Sequence, residues 1–222
     1  MLRGRARLPV LAEISGPAEG RAWSLRRGDF TALEGVLPGL EQRRVVLVAG
    51  EGEAPTVTAI ALAAAAGAAG RRTILVDCDL ARPRLAAHLG LDGAPGLHEY
   101  LRWEAEPADV LQPVVLAGPA TGSSEPLVCI CGGRPATKAE TLLGLQSFAH
   151  MVEKLRGAYE LVLVVAPQVE SEPAACLAVA RQADALLAGL PAAEAKGRDG
   201  RALRSSLRRL PPPALGAISV GA

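Results

Sequence analysis

The stretch RVVLVAGEGEAPTVTAIALAAAAGAAGRRTILVDCDLARP, residues 44–83, decides the fold class. It holds a β-branched apolar run, a Gly/Glu loop, an alanine-rich segment and a second apolar run that ends at Asp77. This order predicts a strand, a loop, a helix and a parallel strand, which is the arrangement of a phosphate-binding βαβ unit. In such a unit the loop amides and the helix N-terminus face phosphate, and a lysine and a hydroxyl complete the neutralisation of its charge.

Short apolar runs separated by helical patterns continue this unit along the chain. They predict a three-layer α/β domain with a mainly parallel central sheet of about seven strands, covered by helices on both faces. We expect residues 41–222 to form this domain and residues 1–40, which Gly and Pro punctuate, to pack on it as a lead-in. The predicted strands are 44–49, 73–77, 114–117, 127–131, 161–166, 185–190 and 217–220. The clearest predicted helices are 56–69, 138–155, 173–183 and 201–210.

Composition excludes several classes of protein. Half of the 222 residues are hydrophobic but only 3% are aromatic, so we expect a core of Ala, Val, Leu and Ile and exclude a disordered chain. A formal net charge of +1 does not support a nucleic-acid groove or a polybasic membrane surface. No apolar run approaches the roughly 20 residues that span a bilayer, and the first residues lack a signal-peptide pattern. We therefore expect a cytoplasmic protein that reaches a membrane only through a partner.

The cysteines and histidines form no motif for metal binding or nucleophilic catalysis. Cys129 and Cys131 would share one face of a strand, and no second cysteine pair or nearby histidine completes a zinc site. No histidine stands beside a Ser or Cys in a nucleophile pattern. We expect no bound metal, and Thr56 and Asp77 are the residues that a cation at the loop would use. The remaining members of these two classes are Cys78, Cys176, His88, His98 and His150.

Lysine is missing from the first 137 residues. The 24 Lys and Arg residues include three lysines, Lys138, Lys154 and Lys196, so 21 are arginine. Codon bias towards arginine explains the general shortage of lysine, but it does not explain why the loop lacks any cation. Lysine-dependent chemistry at the loop is excluded. The loop and the start of the helix read Gly50, Glu51, Gly52, Glu53, Ala54, Pro55 and Thr56.

Four segments, in this order, resemble the cytoplasmic tyrosine-kinase domain of bacterial capsular and exopolysaccharide assembly systems. That family is a branch of the P-loop ATPases that also includes MinD and ParA. The resemblance covers nearly the whole chain and implies a P-loop fold with a nucleotide site at residues 50–56 and Arg82. The segments are LPVLAEI at 8–14, RRTILVDCDLARPRLAAHLGL at 71–91, APGLHEYL at 94–101 and GGRPATKAETLLGLQSFAHMVEKLRGAYELVLVVAPQ at 132–168.

The chain departs from the family pattern at the positions that carry catalysis. Aligned by its glycines, GEGE stands where the family has GEGK, and Glu53 replaces the lysine. Aligned by helix length, residues 54–56 replace Gly-Lys-Ser/Thr, and the lysine is again lost. Val165 stands at the magnesium-organising aspartate and Gln168 at the second proline of that strand's motif. Val220 stands at the adenine-contacting asparagine.

These departures predict an altered site without a nucleotide cofactor. Glu51 and Glu53 would repel a triphosphate, so Mg-ATP is expected only if the altered site still works. We expect both carboxylates to interact with the helix N-terminus that phosphate would otherwise occupy. Asp77 and Asp79 survive as vestigial catalytic candidates, exposed at the mouth of the sheet, and Asp79 is an alternative cap for a short helix near Arg82. Together with the loop, these residues would form a partner surface.

The sequence therefore predicts a catalytically degenerate pseudokinase that acts as a binding or regulatory partner in exopolysaccharide or capsule biosynthesis. Its partner would be a polysaccharide co-polymerase, an export component or a membrane-anchored adaptor. The sequence leaves open whether the chain also forms homo-oligomers. One alternative is an active ATP-dependent protein-tyrosine kinase or ATPase whose cation comes from Arg82, Arg71, Arg72 or a partner subunit. The family's tyrosine-rich tail is not matched, because Tyr100 and Tyr159 are the only tyrosines. A second alternative is a MinD/ParA-like positioning protein.

Overall fold

The computed structural model describes residues 8–16, 26–114, 127–196 and 200–221. Within these ranges eight strands form one sheet in the order β1-β8-β7-β2-β6-β3-β5-β4. Neighbouring strands are parallel except β4 and β5, so the predicted α/β fold with a mainly parallel sheet is confirmed. The strands are β1 Val10–Ile14, β2 Val45–Ala49, β3 Thr73–Asp77, β4 Leu111–Val114, β5 Leu127–Ile130, β6 Leu161–Val165, β7 Ala185–Pro191 and β8 Ala214–Val220.

Helices cover both faces of the sheet and bury two apolar clusters. In β2, Val45 and Leu47 belong to one cluster, whereas Val46 and Val48 belong to the other, because successive side chains of a strand point to opposite faces. None of the helices in the described ranges has the length and apolar character needed to cross a bilayer. The helices are α1 Arg27–Glu34, α2 Ala54–Ala68, α3 Leu85–Leu89, α4 Leu97–Leu101, α5 Pro107–Val110, α6 Ala139–Leu143, α7 Gln146–Ala158, α8 Pro173–Ala180, α9 Ala192–Lys196 and α10 Arg201–Leu207, with a 3₁₀ turn at Leu37–Leu40.

The lead-in contributes a strand that the sequence pattern did not predict. Strand β1 pairs in parallel with β8 at one edge of the sheet. Only Ala12 and Ile14 of this strand are buried, while Val10 and Leu11 are partly exposed. An edge strand with two buried side chains gives a weak apolar signal, and this is why the sheet has one more strand than expected.

Two further predictions differ from the structure. The helix predicted at 138–155 is two helices, α6 and α7, because Leu145 adopts an extended conformation (φ −68°, ψ 149°) immediately before α7. The strand predicted at 114–117 lies further towards the N-terminus, since Val114 is the last residue of β4 and residues 115–117 lie outside the described ranges.

The three neighbouring strands β2, β6 and β3 position the candidate site. They are parallel, so their carboxyl ends lie at the same edge of the sheet. The loop 50–53 follows β2, residues 166–172 follow β6, and residues 78–84 follow β3. These three segments meet although they are far apart along the chain.

Candidate functional site

The loop 50–53 is packed tightly against β7 and leads directly into α2. A Cβ at Gly50 would collide with the carbonyl oxygen of Gly189. Gly52 has a left-handed backbone (φ +66°), which favours glycine. Glu53 is the residue before the first helical residue, and Pro55 lies in the first turn, where its missing N–H costs little. The predicted strand–loop–helix unit is therefore present.

Both backbone groups of Gly52 are bonded to side chains from the two neighbouring segments. The Gly52 N–H donates to Oε1 of Gln168 at 2.6 Å. The Gly52 carbonyl accepts from Nη1 of Arg84 at 2.7 Å and from Nε2 of Gln168 at 3.4 Å. Gln168 is buried, with 4% of its surface exposed. A polar amide of the protein therefore occupies a position on the loop that faces phosphate in a phosphate-binding unit.

The two glutamates of the loop do not take the place expected for them. The Glu51 carboxylate accepts the backbone N–H of Glu170 at 2.7 Å. Burial raises the pKa of Glu51, and this hydrogen bond from Glu170 opposes the rise. Glu53 is exposed and makes no side-chain bond to the first turn of α2. Neither carboxylate is seen to bond to the first turn of α2: Glu51 accepts from the segment after β6, and Glu53, the residue before the helix, makes no cap bond.

Asp77 is an internal acceptor rather than an exposed group. Its Oδ1 accepts the N–H of Asp79 at 3.1 Å, and its Oδ2 accepts the N–H groups of Arg84 and Leu85 at 2.9 and 3.0 Å. The side chain is fully buried. Burial raises the pKa of Asp77 to about 6, although the N–H groups of Leu85 and Arg84 oppose the rise. The carboxylate that accepts the N–H groups at the start of α3 is therefore Asp77, not Asp79, which the sequence had offered as an alternative cap.

Asp79 connects the two side chains that bind Gly52. Its Oδ2 accepts Nε2 of Gln168 at 2.8 Å and lies 3.7 Å from Nη1 of Arg84. Its Oδ1 accepts the backbone N–H of Arg82 at 3.2 Å. Asp79 is only 2% exposed, and burial raises its pKa against the hydrogen bond from Gln168. The predicted exposure of Asp77 and Asp79 was wrong, and neither carboxylate is available to a partner surface.

The arginine at the loop is not one of the three that the sequence suggested. The Arg82 guanidinium donates to Ser171 at 2.8 Å and to Glu172 at 3.3 Å, away from Gly52. Arg71 and Arg72 stand just before β3, at the opposite edge of the sheet, where they line a cavity of about 310 Å³ with Tyr159. Arg84 lies at the loop instead. No local pattern identifies Arg84, because its contact with Gly52 depends on how β2, β6 and β3 are ordered in the sheet.

Of the remaining predicted positions, Val165 and Val220 have apolar side chains that offer no group to magnesium or adenine, whereas Thr56 keeps a hydroxyl. Val165 is buried and stands opposite Asp77 in the β3–β6 register. Val220 ends β8 and pairs with Ile14. Thr56 is buried in the first turn of α2. In the part of the chain that the structure describes, no three His, Cys, Asp or Glu residues are grouped to hold a metal ion, and the four cysteines are buried and unpaired.

The site does not fit Mg-ATP. A triphosphate requires cations and free amides at the loop, and a magnesium ion in such sites requires an organising carboxylate. Here the Gly52 amide is bonded to Gln168, Glu51 and Glu53 add negative charge, and the Val165 side chain has no oxygen. Arg84 bonds to the loop through the Gly52 carbonyl, so its guanidinium is directed to a backbone oxygen.

Comparisons with known proteins find structural likeness only. No protein-family model and no curated protein sequence matches the chain. The kinase domain of Escherichia coli tyrosine kinase ETK aligns with a TM-score of 0.78 and 18% identity, over 97% of this chain and 91% of that one. The VpsO kinase domain aligns with a TM-score of 0.72 and 20% identity, over 87% and 93%. The septum site-determining protein MinD from Pyrococcus horikoshii, complexed with Mg-ADP, aligns with a TM-score of 0.56 and 19% identity, over 79% and 68%. The chain shares their P-loop NTPase-like fold.

Proposed function

We propose that this chain is a degenerate relative of the tyrosine-kinase domains of exopolysaccharide assembly and acts as a binding or regulatory partner. The observation that carries the proposal is the bond from the Gly52 N–H to Gln168. A loop that binds nucleotide offers such amides to phosphate, whereas this loop uses one internally. The resemblance over nearly the whole chain supports a role in the same process, and the altered loop supports a role without phosphoryl transfer.

The charge of the loop also supports a role without phosphoryl transfer. Phosphoryl transfer depends on positioning and on neutralising the charge of the phosphates. Each charge-assisted hydrogen bond that is lost costs about 1.5–3 kcal/mol. With lysine absent and Glu51 and Glu53 in the loop, binding of Mg-ATP would lack these contributions and add repulsion.

Calorimetric titration of the protein with Mg-ATP is expected to give no binding heat up to millimolar nucleotide. The reason is that the Gly52 amide of the loop is bonded to Gln168 and that Glu51 and Glu53 make the loop negatively charged. The kinase domain of ETK, measured in the same buffer, is the positive control. Binding at micromolar concentration would contradict the proposed function.

The partner surface is the exposed rim of the site. It consists of Arg82, Glu53 and Glu170, because Asp77 and Asp79 are buried. We expect affinity capture of the tagged chain from its own host to enrich a polysaccharide co-polymerase, an export component or a membrane-anchored adaptor. Arg82→Glu should reduce this enrichment by about tenfold, as expected for a reversed charge in an interface.

Arg102→Glu is the matched control for Arg82→Glu. The two arginine side chains are similarly exposed, at 52% and 45%, and each contacts a glutamate, Glu104 and Glu172 respectively. Arg102 lies just after α4, outside the rim, so its reversal should leave the enrichment unchanged. Enrichment of no polysaccharide component, or equal loss with both variants, would argue against the proposed surface.

A second candidate function is a working ATPase or tyrosine kinase in which arginine replaces the missing lysine. The observation in its favour is the position of Arg84, whose Nη1 lies 2.7 Å from the Gly52 carbonyl. The same guanidinium lies 3.7 Å from Asp79, which already neutralises part of its charge. The Mg-ATP titration separates this function from the first.

A further inference from the structure

We infer that Gln168 is an internal ligand of the loop and that its amide closes the loop to oxyanions. This inference rests on the proposed function and adds the contact that keeps the site closed. Its basis is a single side chain that bonds both to the loop and to the buried carboxylate across from it. The chain therefore contains an autoinhibitory contact at the position where its structural relatives have a phosphate-binding loop.

The amide of Gln168 satisfies a donor and an acceptor at once. Its Oε1 lies 2.6 Å from the Gly52 nitrogen, as a phosphate oxygen would in an open loop. Its Nε2 lies 2.8 Å from Oδ2 of Asp79, where a cationic group would otherwise be favoured. Because Gln168 is buried, a ligand from solvent reaches the Gly52 amide only after this side chain moves.

The backbone around Gln168 holds its side chain over the loop. The Val169 N–H donates to the Gly50 carbonyl at 3.4 Å, and the Glu170 N–H donates to the Glu51 carboxylate at 2.7 Å. On the other side, the Gln168 carbonyl accepts the Glu172 N–H at 2.9 Å. The segment after β6 is thus bonded to Gly50 and Glu51, the two residues before Gly52, and the backbone of Gln168 is held beside the loop.

Without the Gln168 amide, the loop gains an amide donor for an anion beside the Arg84 guanidinium, while the carboxylates of Asp79, Glu51 and Glu53 remain as they are in wild type. The Gly52 N–H would be free, and the Arg84 guanidinium would remain 2.7 Å from the Gly52 carbonyl. The N-terminus of α2 adds a partial positive charge. An oxyanion such as a phosphate or pyrophosphate group would then accept from an amide and a guanidinium together.

The test is titration of wild type, Gln168→Ala and the double variant Gln168→Ala/Arg84→Gln with pyrophosphate. Gln168→Ala should bind pyrophosphate about tenfold more tightly than wild type, because one amide is released. The double variant should lose this gain, because the guanidinium is removed. Gln112→Ala is the matched control, since Gln112 is also bonded through its amide, to the Asp92 carbonyl, but lies on β4.

The wild-type protein provides a second measurement that needs no variant. Hydrogen exchange of the Gly52 amide should be slow, although the residue itself is exposed in a turn, because the amide is bonded to a buried side chain. Fast exchange at Gly52 would overturn the inference. Equal pyrophosphate affinity in folded Gln168→Ala and wild type would also overturn it, and so would a gain that survives the loss of Arg84.

The outcomes separate this inference from the proposed function. Micromolar Mg-ATP binding by wild type contradicts the proposed function, and a tenfold gain on Gln168→Ala in that case still supports a closing role for the amide. If wild type and Gln168→Ala both fail to bind pyrophosphate, the proposed function stands and the closing role of Gln168 is rejected.

Discussion

Gly189→Ala is expected to lower the free energy of unfolding by about 3 kcal/mol. A Cβ at Gly189 would lie 2.7 Å from the carbonyl oxygen of Ala54 and from Cα of Pro55, and 2.8 Å from the Pro55 nitrogen. All three are backbone atoms, so relief requires β7 or the first turn of α2 to move. Thermal unfolding should show the loss as a decrease in Tm of roughly 10 °C.

Gly67→Ala is the matched control for this substitution. Gly67 lies within α2, and an added Cβ there would meet nothing within 4 Å. Because alanine has a higher helix propensity than glycine, this variant should be as stable as wild type or more stable by up to about 1 kcal/mol. Equal stability of Gly189→Ala and wild type would mean that the close contact between β7 and α2 is not required.

The contact between β7 and the start of α2 shows which part of the site the sequence could predict. The strand–loop–helix unit was predictable, whereas the side chains that neighbouring strands bring to it were not. A β-branched run, a loop that contains two glycines and an alanine-rich segment specify β2 and α2 locally. Position 50 requires glycine because a Cβ there would collide with the Gly189 carbonyl oxygen. That close contact depends on how β7 lies beside β2. Local pattern predicted the elements, whereas strand order determined which atoms meet.

The fate of the acidic residues follows from strand order too. Asp77 is the last residue of β3 and Asp79 follows the strand, and this position alone predicts exposure at the sheet edge. The segments after β6 and β3 fold over them, however, and Asp79 acquires Gln168 as a partner from 89 residues away. A contact at that separation leaves no periodic signal. Knowledge that β6 lies between β2 and β3 would have been needed to select Gln168 and Arg84.

The prediction of a degenerate site rests on substitutions rather than on strand order. The loss of lysine is visible in the sequence itself, and Val165 is identified by its place at the end of an apolar strand. The structure adds that the Gly52 amide of the loop is bonded within the protein. A loop that had only lost its cation would keep a free amide at Gly52, whereas this loop has an internal acceptor. This internal bond joins the loop to the segment after β6.

The free-energy difference between wild type and Asp77→Asn is expected to depend on pH, with an amplitude of about 2 kcal/mol between about pH 4.5 and about pH 7. Burial raises the pKa of Asp77 from 3.8 to about 6 in the folded state. Between these values the folded protein binds this proton more tightly than the unfolded chain. The stability that Asp77 contributes is therefore present below pH 3.8 and is lost as pH rises through about 6. Asparagine does not titrate, so wild type should lose stability relative to Asp77→Asn as pH rises.

Denaturant unfolding of wild type, Asp77→Asn and Asp184→Asn at both pH values measures this effect. Asp184 is the matched control because its pKa shifts the other way: burial raises it, but the hydrogen bonds from Arg156 and from the Val45 N–H outweigh burial and lower it. Its contribution is present above the unfolded pKa and is lost only as pH falls, so the difference between wild type and Asp184→Asn must not fall from about pH 4.5 to about pH 7. A constant difference for Asp77→Asn would show that its carboxylate keeps an ordinary pKa, and the three N–H groups that it accepts would then outweigh its burial.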